Sequence, residues 1–403
     1  MKIMALPLPR AAHLVTTMRA AFWMFAGRGA GLLWTVFIIH QFGIGSYGTY
    51  AMAFALATII AVPIDNYFFV GSVRSSDEDF RRDRATRLLV GSTIFVLGAF
   101  VYPVAFVAGF GIVLAGGEIA FNALQSTWMR AGRPDRLMIN TTVRQTLCIA
   151  TAVGVVVVGQ DVTLEQACIG YLAPYLLSIL YTLRLLRTDR PQWPRGRARM
   201  GLLVLDAVGI ALYEQADVLL LGLLIGEATA GYYATAQVAA TAASAVGVSY
   251  AQTFHEPLRA AKGHPSAGPP PRQTALIGLG IGLCITLTGG VLEVLGASDQ
   301  LWGAFLIMSV FTALRFSKHA LTVVLIVQHR DAVRVATTFG CIAIKGVLLL
   351  TLAVGLGWGS IGAATAAVLA EIVLVTAYAW LVQGSAARPA DADADADPVE
   401  VTS

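Results

Sequence analysis

Ten ionisable residues stand where a chain this apolar should not hold them: Arg28, Glu118, Arg144, Asp206, Glu214, Asp217, Arg315, Lys318, Lys345 and Glu371 lie well inside long hydrophobic runs. Turned toward lipid, each would cost about 2.5–3.5 kcal/mol at the centre of a membrane helix, and all of them together about 25–35 kcal/mol. They must face a wet cavity or one another. Their chemistry divides by sign. Desolvated guanidinium groups hold phosphate-like anions through paired donors, which makes Arg28, Arg144, Arg315 and Lys318 candidates for contact with an anionic substrate. Intramembrane carboxylates hold protons or cations, so Glu118, Glu214 and Asp217 are candidates for coupling to an ion. Lys345 and Glu371, at similar depth on adjacent predicted helices, are expected to form a structural ion pair.

Helical spacing supports inward-facing stripes. Asp206 and Asp217 share one helix face with Glu214 within a turn of it. Glu118, Asn122, Gln125 and Ser126 line another helix, Asn140 and Arg144 a third, and Arg315, Lys318 and His319 a fourth. No catalytic constellation accompanies them. Cys148, Cys168, Cys284 and Cys341 lack CxxC spacing and read as small buried apolar residues rather than a disulfide or metal site. A phosphate-cradling glycine loop is missing too, so no ATP-driven pump and no cofactor are expected.

The elements that must position these charges follow from composition. Hydrophobic residues make up 57% of the 403 residues and charged ones only 13%, with mean hydropathy +0.70. Runs of 18 or more apolar residues, each able to cross a hydrocarbon core of about 30 Å, recur along nearly the whole chain. Spans are expected near 20–40, 47–71, 88–104, 108–129, 137–159, 164–186, 201–224, 230–255, 274–296, 301–327, 335–355 and 360–383. The stretch 88–129 is too long for one span and is divided near Phe106–Phe110. The fold class is thus an all-α polytopic membrane protein with about twelve transmembrane helices. Pro63 and Pro174 lie inside spans and are expected to kink them.

Arginine placement tests the map. Loops on one side carry Arg74 through Arg87, Arg130 through Arg136, the stretch "RTDRPQWPRGRARM" and, later, Arg259, Lys262, Arg272, Arg330 and Arg334. Opposite loops ("QFGIGS", "GQDVT", "IGEATAG", "GASDQ", "GLGWGS") contain neither Lys nor Arg. The positive-inside rule then puts both termini in the cytoplasm, consistent with an even number of spans. The net charge of +4 reflects this topology and needs no nucleic-acid partner.

A short phrase is written twice. "GSYGTYAMAFALAT" and "ATAGYYATAQVAAT" match at one constant offset, Gly48, Tyr50, Ala51, Ala53, Ala57 and Thr58 against Gly231, Tyr233, Ala234, Ala236, Ala240 and Thr241. Both open an even-numbered span. A weaker echo pairs Asp135, Thr141 and Thr142 with Asp331, Thr337 and Thr338. An even number of spans separates each pair, so the halves are parallel six-helix repeats. Small residues also let helix backbones approach closely in lipid. The expected organisation is a cytoplasmic N-terminus (1–19), an N-lobe (20–186), a basic inter-lobe linker (187–200), a C-lobe (201–383) and a disordered acidic tail (384–403). The loop 259–273 is expected to be a flexible connector.

Several stretches carry a family resemblance: "FGIGSYGTYAMAFALATII", "QADVLLLGLLIGEATAGYYATAQVAA", "IVQHRDAVRVATTF" and "GWGSIGAATAAVLAE". Together with the helix count, they resemble the polysaccharide-transport branch of the multidrug, oligosaccharidyl-lipid and polysaccharide (MOP) exporter superfamily, the O-antigen and lipid-linked oligosaccharide flippases. The resemblance implies a V-shaped, MATE-like alternating-access carrier in a bacterial cytoplasmic membrane. Its substrate would be a polyprenyl-(di)phosphate-linked oligosaccharide for lipopolysaccharide or other cell-surface polysaccharide biosynthesis, with H+ or Na+ as coupling ion and polysaccharide-assembly proteins and membrane lipids as partners. Its twelve spans depart from the fourteen of the lipid II flippase branch. One alternative is an ion-coupled multidrug or cation antiporter of the same superfamily, against which the basic residues in the spans count. Another is a membrane glycosyltransferase or polymerase, against which the very short outer loops count.

Overall fold

The computed structural model describes residues 11–74, 76–184, 186, 189–192 and 197–386, and the elements among these are helices joined by short turns, with no strand. In chain order the helices are α1 (Ala11–Arg74), α2 (Asp77–Val101), α3 (Phe106–Arg130), α4 (Pro134–Val158), α5 (Leu164–Thr182), α6 (Arg197–Leu224), α7 (Glu227–Gln252), α8 (His255–Ala260), α9 (Pro271–Val294), α10 (Asp299–Val327), α11 (Asp331–Leu349) and α12 (Gly359–Ala386). A 3-10 turn spans Pro265–Ala267, and a π-helical turn, Leu350–Gly355, follows α11. Nine of the described helices are long and apolar enough to cross a membrane.

The first two expected spans run on without a loop. Only Gly43 interrupts α1, with φ 85° and ψ 167°, a conformation open to glycine because it lacks a Cβ. The apolar stretch Met18–Phe69 holds 52 residues, about 78 Å as a straight helix and so enough for two crossings. The chain folds back at the break: Trp34 and Tyr50 rings lie 6.2 Å apart, whereas a straight helix would separate them by about 24 Å. Counting α1 twice and leaving out the short α8, the described helices number the twelve expected; α5 and α7 are the two long ones outside the nine most apolar.

Two other boundaries differ from expectation. The third and fourth spans part at Tyr102–Ala105 rather than Phe106–Phe110, because Pro103 lacks the N–H that would continue the helix. Arg81, Arg82, Arg84 and Arg87 lie on α2 rather than in a loop, since Ser76 caps the helix and accepts from the Asp79 N–H at 3.2 Å. Pro63 and Pro174 sit inside α1 and α5.

The chain groups into two compact units, Met1–Thr235 and Ala236–Ser403. In the first, an aromatic cluster ties α1, α3 and α5 together: Tyr171 stacks on Trp34 at 5.8 Å, and Tyr50 meets Phe110 at 5.8 Å. Asp189 pairs with Arg84 at 3.1 Å, and Gln192 donates its backbone N–H to Thr86 at 2.9 Å, which pins the start of the basic linker to α2. The rest of that linker lies partly, and the tail beyond residue 386 wholly, outside the described residues.

In the second unit the buried alanines of α12, among them Ala363, Ala367 and Ala370, permit close packing on α10. Gln300 holds the start of α12, accepting from the Ser360 N–H at 2.8 Å. The segment 259–273 is built rather than a free connector. Leu258 is fully buried, the 3-10 turn follows, and Gln328 donates to the Gly263 carbonyl at 2.9 Å. Cys148, Cys168 and Cys341 are buried as expected, but Cys284 is exposed. On an apolar helix such as α9 that exposure corresponds to a lipid-facing position.

Candidate functional site

Three helices of the first unit bring Glu118, Arg144 and Tyr175 to one point. Arg144 Nη1 on α4 lies 2.5 Å from Glu118 Oε1 on α3. The Tyr175 hydroxyl on α5 donates to the same carboxylate oxygen at 2.5 Å and accepts from Arg144. Rings of Phe121 and Tyr175 flank the guanidinium, with its carbon 4.8 and 4.6 Å from their centroids. Two residues that sequence reasoning gave separate tasks, one to the substrate and one to coupling, are thus partners. A buried guanidinium requires a counter-charge and hydrogen bonds, and α3 and α5 supply both.

About one turn further along the polar stripe of α3, a second network forms. Asp65 on α1 accepts from Arg87 Nε at 3.0 Å and from Arg87 Nη2 at 2.5 Å, while the Asn122 amide donates to its other oxygen. Gln125, next along the stripe, accepts from the Thr141 hydroxyl at 3.1 Å. Asp65, Asn66, Arg87, Asn122, Gln125, Ser126 and Thr141 join apolar side chains of Val62, Phe69, Met129, Leu137 and Met138 around a cavity of about 410 Å³. The sequence marked Asn122, Gln125 and Ser126. Arg87 it missed because that arginine was counted in a loop. The available signal was an acid and a base inside the two apolar runs that flank one short connection.

The remaining candidates are spread over both units. Arg28 is exposed on α1, about midway between Ala11 and Gly43, with Glu214 of α6 in electrostatic reach. Along α6, Asp206 and Asp217 are buried, and Glu214 is half-buried. Asp217 accepts from the Tyr233 hydroxyl, itself in the repeated phrase. In the second unit Arg315 is buried on α10, its guanidinium carbon 5.3 Å from the Phe311 ring centroid, and Lys318 is half-buried. Lys345 on α11 and Glu371 on α12 are both buried on helices that pack together.

No protein-family model and no curated protein matches the sequence. Solved structures do match the fold. A lipid II flippase MurJ structure in the inward closed conformation superposes with TM-score 0.59 at 13% identity, covering 92% of this chain and 87% of its own. The eukaryotic MATE transporter AtDTX14 gives 0.61 at 14%, covering 92% and 96%. The MATE multidrug transporter DinF-BH gives 0.59 at 15%, covering 93% and 96%. The chain therefore has the fold of these MurJ and MATE structures.

Proposed function

We infer that this chain, having the fold of the MurJ and MATE carriers, is a multi-pass membrane carrier. Its cargo is a polyprenyl-(di)phosphate-linked oligosaccharide, moved from the inner to the outer leaflet of a bacterial cytoplasmic membrane by alternating access. The observation that carries this reading is Arg28, a permanently charged group exposed midway along an apolar crossing. Such a group is tolerated beside water, a polar ligand or a counter-charge such as Glu214, and a guanidinium at a water-facing position suits a phosphate. Arg315 and Lys318 extend the same role to the second unit. Lys345 and Glu371 act as a structural pair, and Glu214 and Asp217 carry the coupling H+ or Na+.

Short connections at the arginine-poor end support a carrier over a membrane glycosyltransferase. They comprise residues 102–105, 159–163, 225–226, 295–298 and 356–358, too little chain to build an external catalytic site. A cation antiporter is the second reading, favoured by the acids of α6 and by the drug transporters that share the fold.

Reconstitution separates the two. Wild-type protein in proteoliposomes is expected to move a fluorescent polyprenyl-diphosphate oligosaccharide across the bilayer. Arg28→Ala should slow that movement at least tenfold, because a charge-assisted hydrogen bond contributes about 1.5–3 kcal/mol. Export of a cationic dye without movement of the lipid establishes the antiporter instead.

A further inference from the structure

The cavity between α1, α2, α3 and α4 is neutral as a whole although it contains two charges. Both Arg87 nitrogens bound to Asp65 use one carboxylate oxygen, and Asn122 occupies the other. An anion entering would meet Asp65, and a cation would meet Arg87. Neither gains without breaking a pair whose arginine is 5% exposed. What the cavity offers is hydrogen-bonding capacity. Gln125 is 3% exposed, its carbonyl oxygen is held by Thr141, and its amide nitrogen is a buried donor with no protein acceptor. Buried polar groups are ordinarily paired, and this unpaired donor belongs to a residue that lines the cavity.

The rest of the wall mixes the amide and hydroxyl side chains of Asn66, Ser126 and Thr141 with apolar ones, Phe69 and Met129 among them, and the volume of about 410 Å³ falls in the range of about 300–1,000 Å³ typical of ligand pockets. We propose that this cavity is a subsite for a neutral, hydroxyl-bearing ring, namely a sugar of the transported glycan. C–H faces of the ring would lie on the apolar side chains, and a hydroxyl, ring or acetamido oxygen would accept from Gln125. The proposal rests on the lipid-linked oligosaccharide reading and gives the glycan a place of its own. Reach supports it. The α1 segment bearing Arg28 packs on α4 at Thr142, where the Thr142 hydroxyl donates to the Trp23 carbonyl at 2.7 Å and a Cβ on Gly27 would lie 3.0 Å from that hydroxyl. Thr141, the next residue on α4, lines the cavity. A diphosphate at Arg28 and the first sugars beyond it are therefore served by one stretch of α4.

Purified full-length protein should be titrated with two probes, a polyprenyl diphosphate and the same lipid bearing a neutral disaccharide. Wild type is expected to bind the glycosylated lipid at least tenfold tighter. Gln125→Leu removes the donor, and Met129→Trp narrows the cavity while keeping the Gln125 amide; each should bring the ratio of the two affinities toward one, with thermal unfolding confirming a folded protein. Arg28→Ala should weaken both lipids and leave the ratio intact. Equal affinities in the wild type, as for a cavity holding only water, overturn the sugar subsite while the lipid-phosphate reading stands. A preference retained in both cavity variants also overturns it. Binding of neither lipid removes the flippase reading and the subsite with it.

Discussion

Glu118→Ala is expected to destabilise the protein by about 3–5 kcal/mol, more than Arg144→Ala, and Glu118→Ala combined with Arg144→Met to recover much of the loss. The order follows from proton chemistry. Removing the acid strands a guanidinium whose side chain is only 10% exposed, and a guanidinium cannot shed its charge. Removing the arginine leaves a carboxylate at 29% exposure, which can take up a proton and still accept from Tyr175. Filling the site with a thioether of similar length replaces the pair by apolar packing against Phe121 and Tyr175. Denaturant and thermal unfolding in detergent, read by tryptophan fluorescence, would measure the series. An Arg144→Ala variant less stable than Glu118→Ala, or a double variant no better than the acid deletion, defeats the account.

The second large effect is steric. A Cβ on Gly48 would stand 1.8 Å from the backbone oxygen of Glu227 and 2.9 Å from the Gly231 nitrogen, and one on Gly231 would stand 2.3 Å from the Ile44 oxygen. These are backbone atoms, which cannot swing aside as a side-chain tip can. Overpacking by a methyl or two costs about 1–3 kcal/mol where side chains can yield, so Gly48→Leu should cost more and abolish the monodisperse folded species in size-exclusion chromatography. Gly45→Ala is the control. Three residues earlier on the same helix, its Cβ would meet nothing within 4 Å, and replacing glycine in a helix should add up to about 1 kcal/mol of stability. If Gly48→Ala melts like Gly45→Ala, the helices are not held at backbone contact.

That contact gives the repeated phrase a structural meaning. The two copies were legible as an echo; that Gly48 of one packs on Gly231 of the other was not. Close approach needs small residues on both helices at one depth, and a sequence shows the small residues without showing the depth. Glu118, Asn122 and Gln125 behave similarly. Helical periodicity put them on one face of α3, yet their partners, Arg144 and Tyr175 for the first, Asp65 for the second and Thr141 for the third, come from other helices.

The sequence by itself determined the membrane class, the twelve crossings and the inward polar stripes. These depend on sums over consecutive residues: the length of an apolar run against the thickness of a bilayer, and the 3.6-residue period of a helix. Tertiary structure alone decided the fold-back at Gly43, the place of Arg87 on a helix, the built segment after Leu258, and which charge meets which. A pairing between helices depends on the rotation and depth of each against its neighbour, and close packing of side chains fixes those two quantities only after the helices exist.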